Sequence, residues 1–166
     1  HEQDANEILQ LTCRRNLPTA GWIQFRGVKV REDEKITSCD SEFMVDWKNM
    51  SSFDYDKVPR PTVLSFDLEV YSSDPNTFPK SERLGDKIFQ ISCILGKQND
   101  SEQNYEKTLL TLGEPSSQVT GEDVEIRMFN TEDDLVVGFT DYILETNPNI
   151  IVGYNIFGFD IPYLIA

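Results

Sequence analysis

The chain has 166 residues, enough for one domain or for one and a fraction. Its 39% hydrophobic content, with 10 Phe, 6 Tyr and 2 Trp, suits a globular core, and no apolar run is long enough to span a membrane. With 15 basic and 29 acidic residues the net charge is −14, which excludes a module that grips duplex DNA by charge alone. Either metal ions neutralise part of the acid, or basic surfaces elsewhere in a larger protein do the gripping. Cys13, Cys39 and Cys93 are widely spaced and form no Cys-x-x-Cys pair. Neither a zinc site nor a disulfide framework is indicated, and a reducing compartment is the default. The chain starts at His1 without a Met and stops at Ala166 inside an expected helix, so it reads as a fragment.

Residues 1–20 are polar apart from Ile8, Leu9 and Leu11, and predict a frayed helix ending before Pro18. Residues 21–30 are strand material interrupted at Gly27. Residues 41–47 alternate, with Phe43, Val45 and Trp47 on one face and Glu42, Met44 and Asp46 on the other. Residues 48–61 read as a connector, because Ser51-Ser52 and the Pro59-Arg60-Pro61 segment disfavour regular structure. We place a domain boundary there, with a small β-rich unit over 1–58 and a second domain over 59–166.

The second domain opens on Val63-Leu-Ser-Phe-Asp-Leu-Glu-Val-Tyr71. Phe66, Leu68 and Val70 share one face of the predicted strand and Asp67 and Glu69 the other. Two adjacent carboxylates repel, and burying them unpaired is costly. A hard divalent cation resolves that conflict, which predicts a metal site in mid-sheet. An edge strand with one solvated face is the other reading of the same residues. The loop from Ser72 to Lys87, with Pro75 and Pro79, is long for a link between neighbouring strands. It is either functional or a surface excursion. Ile88–Leu95 is largely apolar and predicts a central strand. A polar turn, a strand over Tyr105–Leu112, a polar loop over Gly113–Asp123 and a short strand over Val124–Phe129 follow. Thr131 caps a helix whose first turn carries three acids, facing the positive end of the helix dipole. Its stripe of Leu135, Phe139, Tyr142 and Ile143 is spaced for a core rather than for a nucleobase platform. Asn147-Pro148 ends this helix. Ile150–Val152 predicts a short buried strand and the next residues a new helix.

Two stretches carry a resemblance. Phe66-Asp-Leu-Glu69 and Gly153-Tyr-Asn-Ile-Phe-Gly-Phe-Asp-Ile-Pro-Tyr-Leu164 resemble, in this order and at this separation, the first two exonuclease motifs of B-family DNA polymerases. The second motif is long and specific. Gly21-Trp22 and Cys39–Glu42 look like upstream segments of the delta-type enzymes, a weaker likeness. Phe78-Pro79 matches a Phe-Pro in a loop that lies near the DNA end in related polymerases.

The resemblance implies an incomplete ribonuclease-H-like α/β exonuclease fold preceded by the small β-rich unit. It implies proofreading 3′→5′ hydrolysis at the single-stranded 3′ end of a DNA primer, with two Mg²⁺ or Mn²⁺ ions in the complete domain. Asp67 matches a ligand of both ions and Glu69 a ligand of one. Asp160 matches the third acid; without the motif around it, Asp160 is an ordinary helix N-terminal acid before Pro162. Leu68, Phe78, Asn155 and Phe159 match DNA-binding positions, whereas Tyr154 and Tyr163 read as packing residues. We expect the three carboxylates to converge on one small site. The family's third motif, Tyr-x-x-x-Asp, and its polymerising motifs do not occur within these residues. Implied partners are DNA, further polymerase domains and processivity factors, with no membrane, in a nucleus or at a viral replication site. A free-standing exonuclease and a silent exonuclease-like scaffold are the alternatives.

Overall fold

The structure, a computed structural model, describes residues 6–116 and 123–166. It divides into two compact units, His1–Val58 and Pro59–Ala166.

In the first unit, α1 (Glu7–Arg15) starts at Asn6, whose side chain accepts the amides of Ile8 and Leu9. It ends at Asn16 in the left-handed conformation, φ 50°. Nine residues are too few for a helix to be stable alone in water, and the helix is tied down where Arg15 Nε donates to the Met50 carbonyl at 2.9 Å. β1 (Ile23–Lys29) and β2 (Phe43–Ser52) form an antiparallel pair. The predicted connector thus begins as strand: β2 runs five residues beyond Trp47, because β1 offers Met50, Ser51 and Ser52 partners in Phe25, Gln24 and Ile23. None of the residues in these two strands is fully buried. Aromatic pairs do the packing: Trp22 with Tyr55, Phe53 with Tyr55, and Phe25 with Phe43, at centroid distances of 5.4, 5.7 and 5.3 Å.

The second unit is a five-stranded mixed sheet beside one long helix. Its strands are β3 (Thr62–Tyr71), β4 (Lys87–Lys97), β5 (Glu106–Leu112), β6 (Val124–Phe129) and β7 (Ile150–Val152), in the order β6-β5-β4-β3-β7. β3, β4 and β5 pair antiparallel as a meander, while β6 runs parallel to β5 and β7 parallel to β3. α2 (Glu132–Thr146) is capped as its sequence predicts: Thr131 Oγ1 accepts the Asp134 amide, and Asn147 closes the far end in the left-handed conformation. Leu135, Phe139 and Tyr142 of α2 are buried in one core with Leu64, Phe66 and Leu68 of β3, Ile88, Ile91, Cys93 and Leu95 of β4, and Leu110 of β5. The Phe66 and Phe139 rings lie 5.0 Å apart.

Strand β7 departs from expectation. Its three residues are exposed rather than buried. Among the described residues it occupies the outer edge of the sheet and pairs only with Val63, Leu64 and Ser65. A short helix, α3 (Asp160–Leu164), closes the described chain. The predicted Gly113–Asp123 loop lies partly outside the described residues. Among the described residues no helix is long and apolar enough to cross a membrane.

Candidate functional site

The alternation predicted for β3 is present. Phe66 and Leu68 enter the core, and Asp67 and Glu69 stand on the opposite face. β3 is interior to the sheet rather than at its edge, and its acid face is exposed. Next to Glu69 the β3–β4 ladder slips. Glu69 pairs with Gln90 and Val70 with Ile88, leaving Phe89 as an extra residue. Such a bulge bends the strand and re-aims neighbouring side chains.

β7 stops at Val152 opposite Ser65, so the β3 backbone beyond that point lacks a strand partner on this side. The chain instead turns at Gly153 and returns as α3. Asp160, the first residue of α3, is 3% exposed. A buried carboxylate needs donors. Its Oδ1 accepts the Leu68 amide at 3.1 Å, taking the N–H that a longer β7 would have taken. The acid of the second stretch is thereby tied to the residue lying between the two acids of the first. Leu68 itself is 6% exposed, so its side chain supports the site from within the core.

The turn 153–159 is built on Asn155, φ 54°, whose carbonyl accepts the amides of Gly158 (2.8 Å) and Phe159 (3.2 Å). Ile156 points inward and is buried. Phe159 sits half-buried at the N-terminus of α3, its ring edge-on to Phe78 at 5.3 Å and tilted against Tyr163 at 5.5 Å. Phe78, 73% exposed, gives this aromatic group an open side. Tyr163 packs against the core, as expected. Burial pushes its hydroxyl upward, with the Asp86 and Glu132 charges adding. Tyr154 does not pack: it is 91% exposed, because the turn directs Ile156 inward instead.

The loop that carries Phe78 is held by a residue the sequence reading missed. Asp86 accepts the Ser73 amide and hydroxyl on Oδ1, at 2.8 and 2.6 Å, and the Lys80 amide at 2.8 Å on Oδ2, where Arg83 lies at 3.1 Å. Burial alone would push this carboxyl upward; the Ser73 and Lys80 donors and the Arg83 guanidinium outweigh it and hold the pKa at about 2. Ser72 Oγ reaches the Asp74 and Thr77 carbonyls as well. The only local hint in the sequence is the Arg83–Asp86 spacing.

Carboxylate oxygens suit a hard divalent ion, and the donors here are all carboxylates. Asp67 and Glu69 share one exposed face, and Asp160 is one amide away. Among the described residues, however, no group of three or more His, Cys, Asp or Glu lies together as an ion would require. The expected convergence is thus a pair plus a third acid whose carboxylate is turned to the Leu68 amide.

A mixed sheet with a three-strand meander, one covering helix and a motif-bearing turn against β3 is the frame that holds these acids. The profile of DNA polymerase family B, exonuclease domain, matches residues 1–166, and the chain belongs to this family. It is 48% identical over 175 aligned positions to DNA polymerase 120R of Invertebrate iridescent virus 3, covering 99% of this chain and 15% of that protein. It is 32% identical to the DNA polymerase delta catalytic subunit of Mesocricetus auratus, covering 87% of this chain and 13% of that one. The chain therefore spans only about one seventh of the length of these curated relatives. The family B DNA polymerase of the archaeon Pyrobaculum calidifontis has the same fold over 99% of this chain and 17% of that one, with a TM-score of 0.64 at 20% identity.

Proposed function

We propose that this chain is the part of a longer family B DNA polymerase that carries the first two proofreading motifs, and that Asp67, Glu69 and Asp160 serve 3′→5′ hydrolysis of the terminal phosphodiester of DNA. The observation that carries the reading is the Asp160–Leu68 hydrogen bond, which anchors the second motif's acid between the two acids of the first. Two divalent ions, when bound, supply Lewis-acid activation of water and stabilise the leaving oxygen. The chain's own residues then have separable tasks. Asp67 and Glu69, fixed by β3, set where positive charge is held. Asp160, immobilised by burial and by the Leu68 amide, would add the third carboxylate. Phe78 and Phe159 offer ring surface to an unpaired terminal base, and stacking suits a single-stranded end. Asn155, whose backbone carbonyl accepts the Phe159 amide, is exposed and offers a side-chain amide.

The test replaces Asp67 and Glu69 together by Ala in the full-length protein. Mismatch excision should fall a hundredfold or more, since even one strong electrostatic contributor is worth about that much. Extension of matched primers should be unchanged, because polymerisation would use other residues. If both activities fell together, the acids would be structural; if excision persisted, the reaction centre would lie elsewhere.

A further inference from the structure

The link between β3 and β4, from Ser72 to Asp86, is long for neighbouring antiparallel strands, where roughly two to five residues suffice. One side chain holds three parts of it. Asp86, at its end, accepts the Ser73 amide and hydroxyl from its start and the Lys80 amide from its middle, at 2.8, 2.6 and 2.8 Å. Gly85 lets the two ends approach, since a Cβ there would stand 2.8 Å from Ser73 Cβ. Arg83 lies 3.1 Å from Asp86 Oδ2 and donates through Nη1 to Thr77 Oγ1 at 2.9 Å. Ser72 Oγ donates to the Thr77 carbonyl at 3.0 Å. Phe78 is therefore bracketed: Thr77 is anchored before it, Lys80 is anchored after it, and the ring of Pro79 fixes φ between them.

Burying a carboxylate costs free energy that only its donors offset, and a satisfied polar network fixes one arrangement of the chain. This arrangement buries no large apolar side chain of the loop: Phe78 is 73% exposed and Leu84 fully exposed. What it does fix is the place of the Phe78 ring, edge-on to Phe159 at 5.3 Å. Phe159 in turn directly precedes Asp160. We infer that Asp86 is a positioning residue for excision: with Arg83 it holds the Phe78 ring where an unpaired 3′-terminal base stacks. The inference rests on the excision reading and adds to it a residue that acts through Phe78 rather than on the reacting atoms. A loop already ordered loses less freedom when the end binds. The gain falls on capture of the end, while the chemical step belongs to the three carboxylates of the two motifs.

Excision of a mismatched 3′ end by the full-length protein tests this, with kcat and KM read separately. Asp86→Asn removes the charge that faces Arg83 and sets an amide against the Lys80 N–H. KM should rise about tenfold, the order expected when a side chain and its loop must be ordered on binding. kcat should stay within about twofold, the signature of binding lost equally from ground and transition states. Phe78→Ala should raise KM by a similar factor. The Asp86→Asn/Phe78→Ala double variant should be no worse than Phe78→Ala alone, because Asp86 acts only through that ring. Ser73→Ala removes one donor and keeps the carboxylate; it should raise KM about threefold, as one neutral hydrogen bond is worth, and it carries the same cycle if Asp86→Asn does not fold. An unchanged KM, a fall in kcat alone, or KM effects that multiply in the double variant would overturn the inference. Those results leave the excision reading standing as long as Asp67→Ala/Glu69→Ala abolishes excision. Excision that survives Asp67→Ala/Glu69→Ala, or that the full-length protein lacks, would overturn the excision reading and this inference with it.

Discussion

Gly153→Ala tests how tightly the second motif is fitted to the first. A Cβ at position 153 would stand 2.7 Å from the carbonyl oxygen of Phe66 and within contact distance of Ile156 Cγ2. The first of these neighbours is backbone and cannot rotate away. Restoring an ordinary contact of about 3.4 Å requires a shift of about 0.7 Å in β3 or in the turn, and Phe66 is the residue before Asp67. Overpacking of this kind costs about 1–3 kcal/mol. For a unit of roughly 100 residues that lowers the melting temperature by about 4 °C or more for each kcal/mol. Thermal unfolding followed by circular dichroism would read this out. Ile156→Ala removes one of the two clashes but opens a cavity of its own, at about 2–5 kcal/mol. The double variant should therefore be less destabilised than the two single changes added together, by about 1 kcal/mol. Gly113→Ala is the contrast. Gly113 has φ 77° with nothing within 4 Å of its would-be Cβ, so the cost there is backbone strain of about 1–2 kcal/mol and should not couple to Ile156. A Gly153→Ala chain that melts within about 1 °C of the original, or strict additivity with Ile156→Ala, would refute the close-contact argument.

Asp86, held at about 2, stabilises the Phe78 loop through its ionised form, which the folded chain favours more strongly than the unfolded one does. Because the folded value is the lower, that contribution is complete above about pH 4 and is lost as pH falls towards about 2. Limited proteolysis between Ser72 and Lys87 should accelerate in that window, and Asp86→Asn should show the same fast cleavage at neutral pH; an equally protected Asn variant would remove the staple. Cys93 is 1% exposed and burial pushes its thiol up to about 12, whereas Cys13 and Cys39 are exposed. A thiol-reactive chromogen at pH 8 should therefore titrate Cys13 and Cys39 in the native chain and Cys93 only after denaturation; rapid native labelling of Cys93 would show that the sheet opens.

Sequence alone determined whatever depends on neighbours along the chain. Alternation placed Asp67 and Glu69 on the face opposite Phe66 and Leu68, since a strand's period is two whatever its partners. Thr131 and Asn147 marked the ends of α2, because a cap is a contact over three or four residues. Leu135, Phe139 and Tyr142 announced their shared face through helical spacing. The motif wording carried the family itself. Only the tertiary structure decided matters set by residues distant in sequence. Ile150–Val152 looks as apolar as a buried strand, yet it is exposed because its place at the sheet edge is fixed by pairing with residues nearly ninety positions earlier. Asp160's commitment to the Leu68 amide spans 92 positions. The bulges at Phe89 and Arg26 are properties of two strands in register and are written in neither alone. Asp86 reads as one more loop acid until the fold encloses it, since desolvation and converging donors exist only once the chain has closed around the carboxylate.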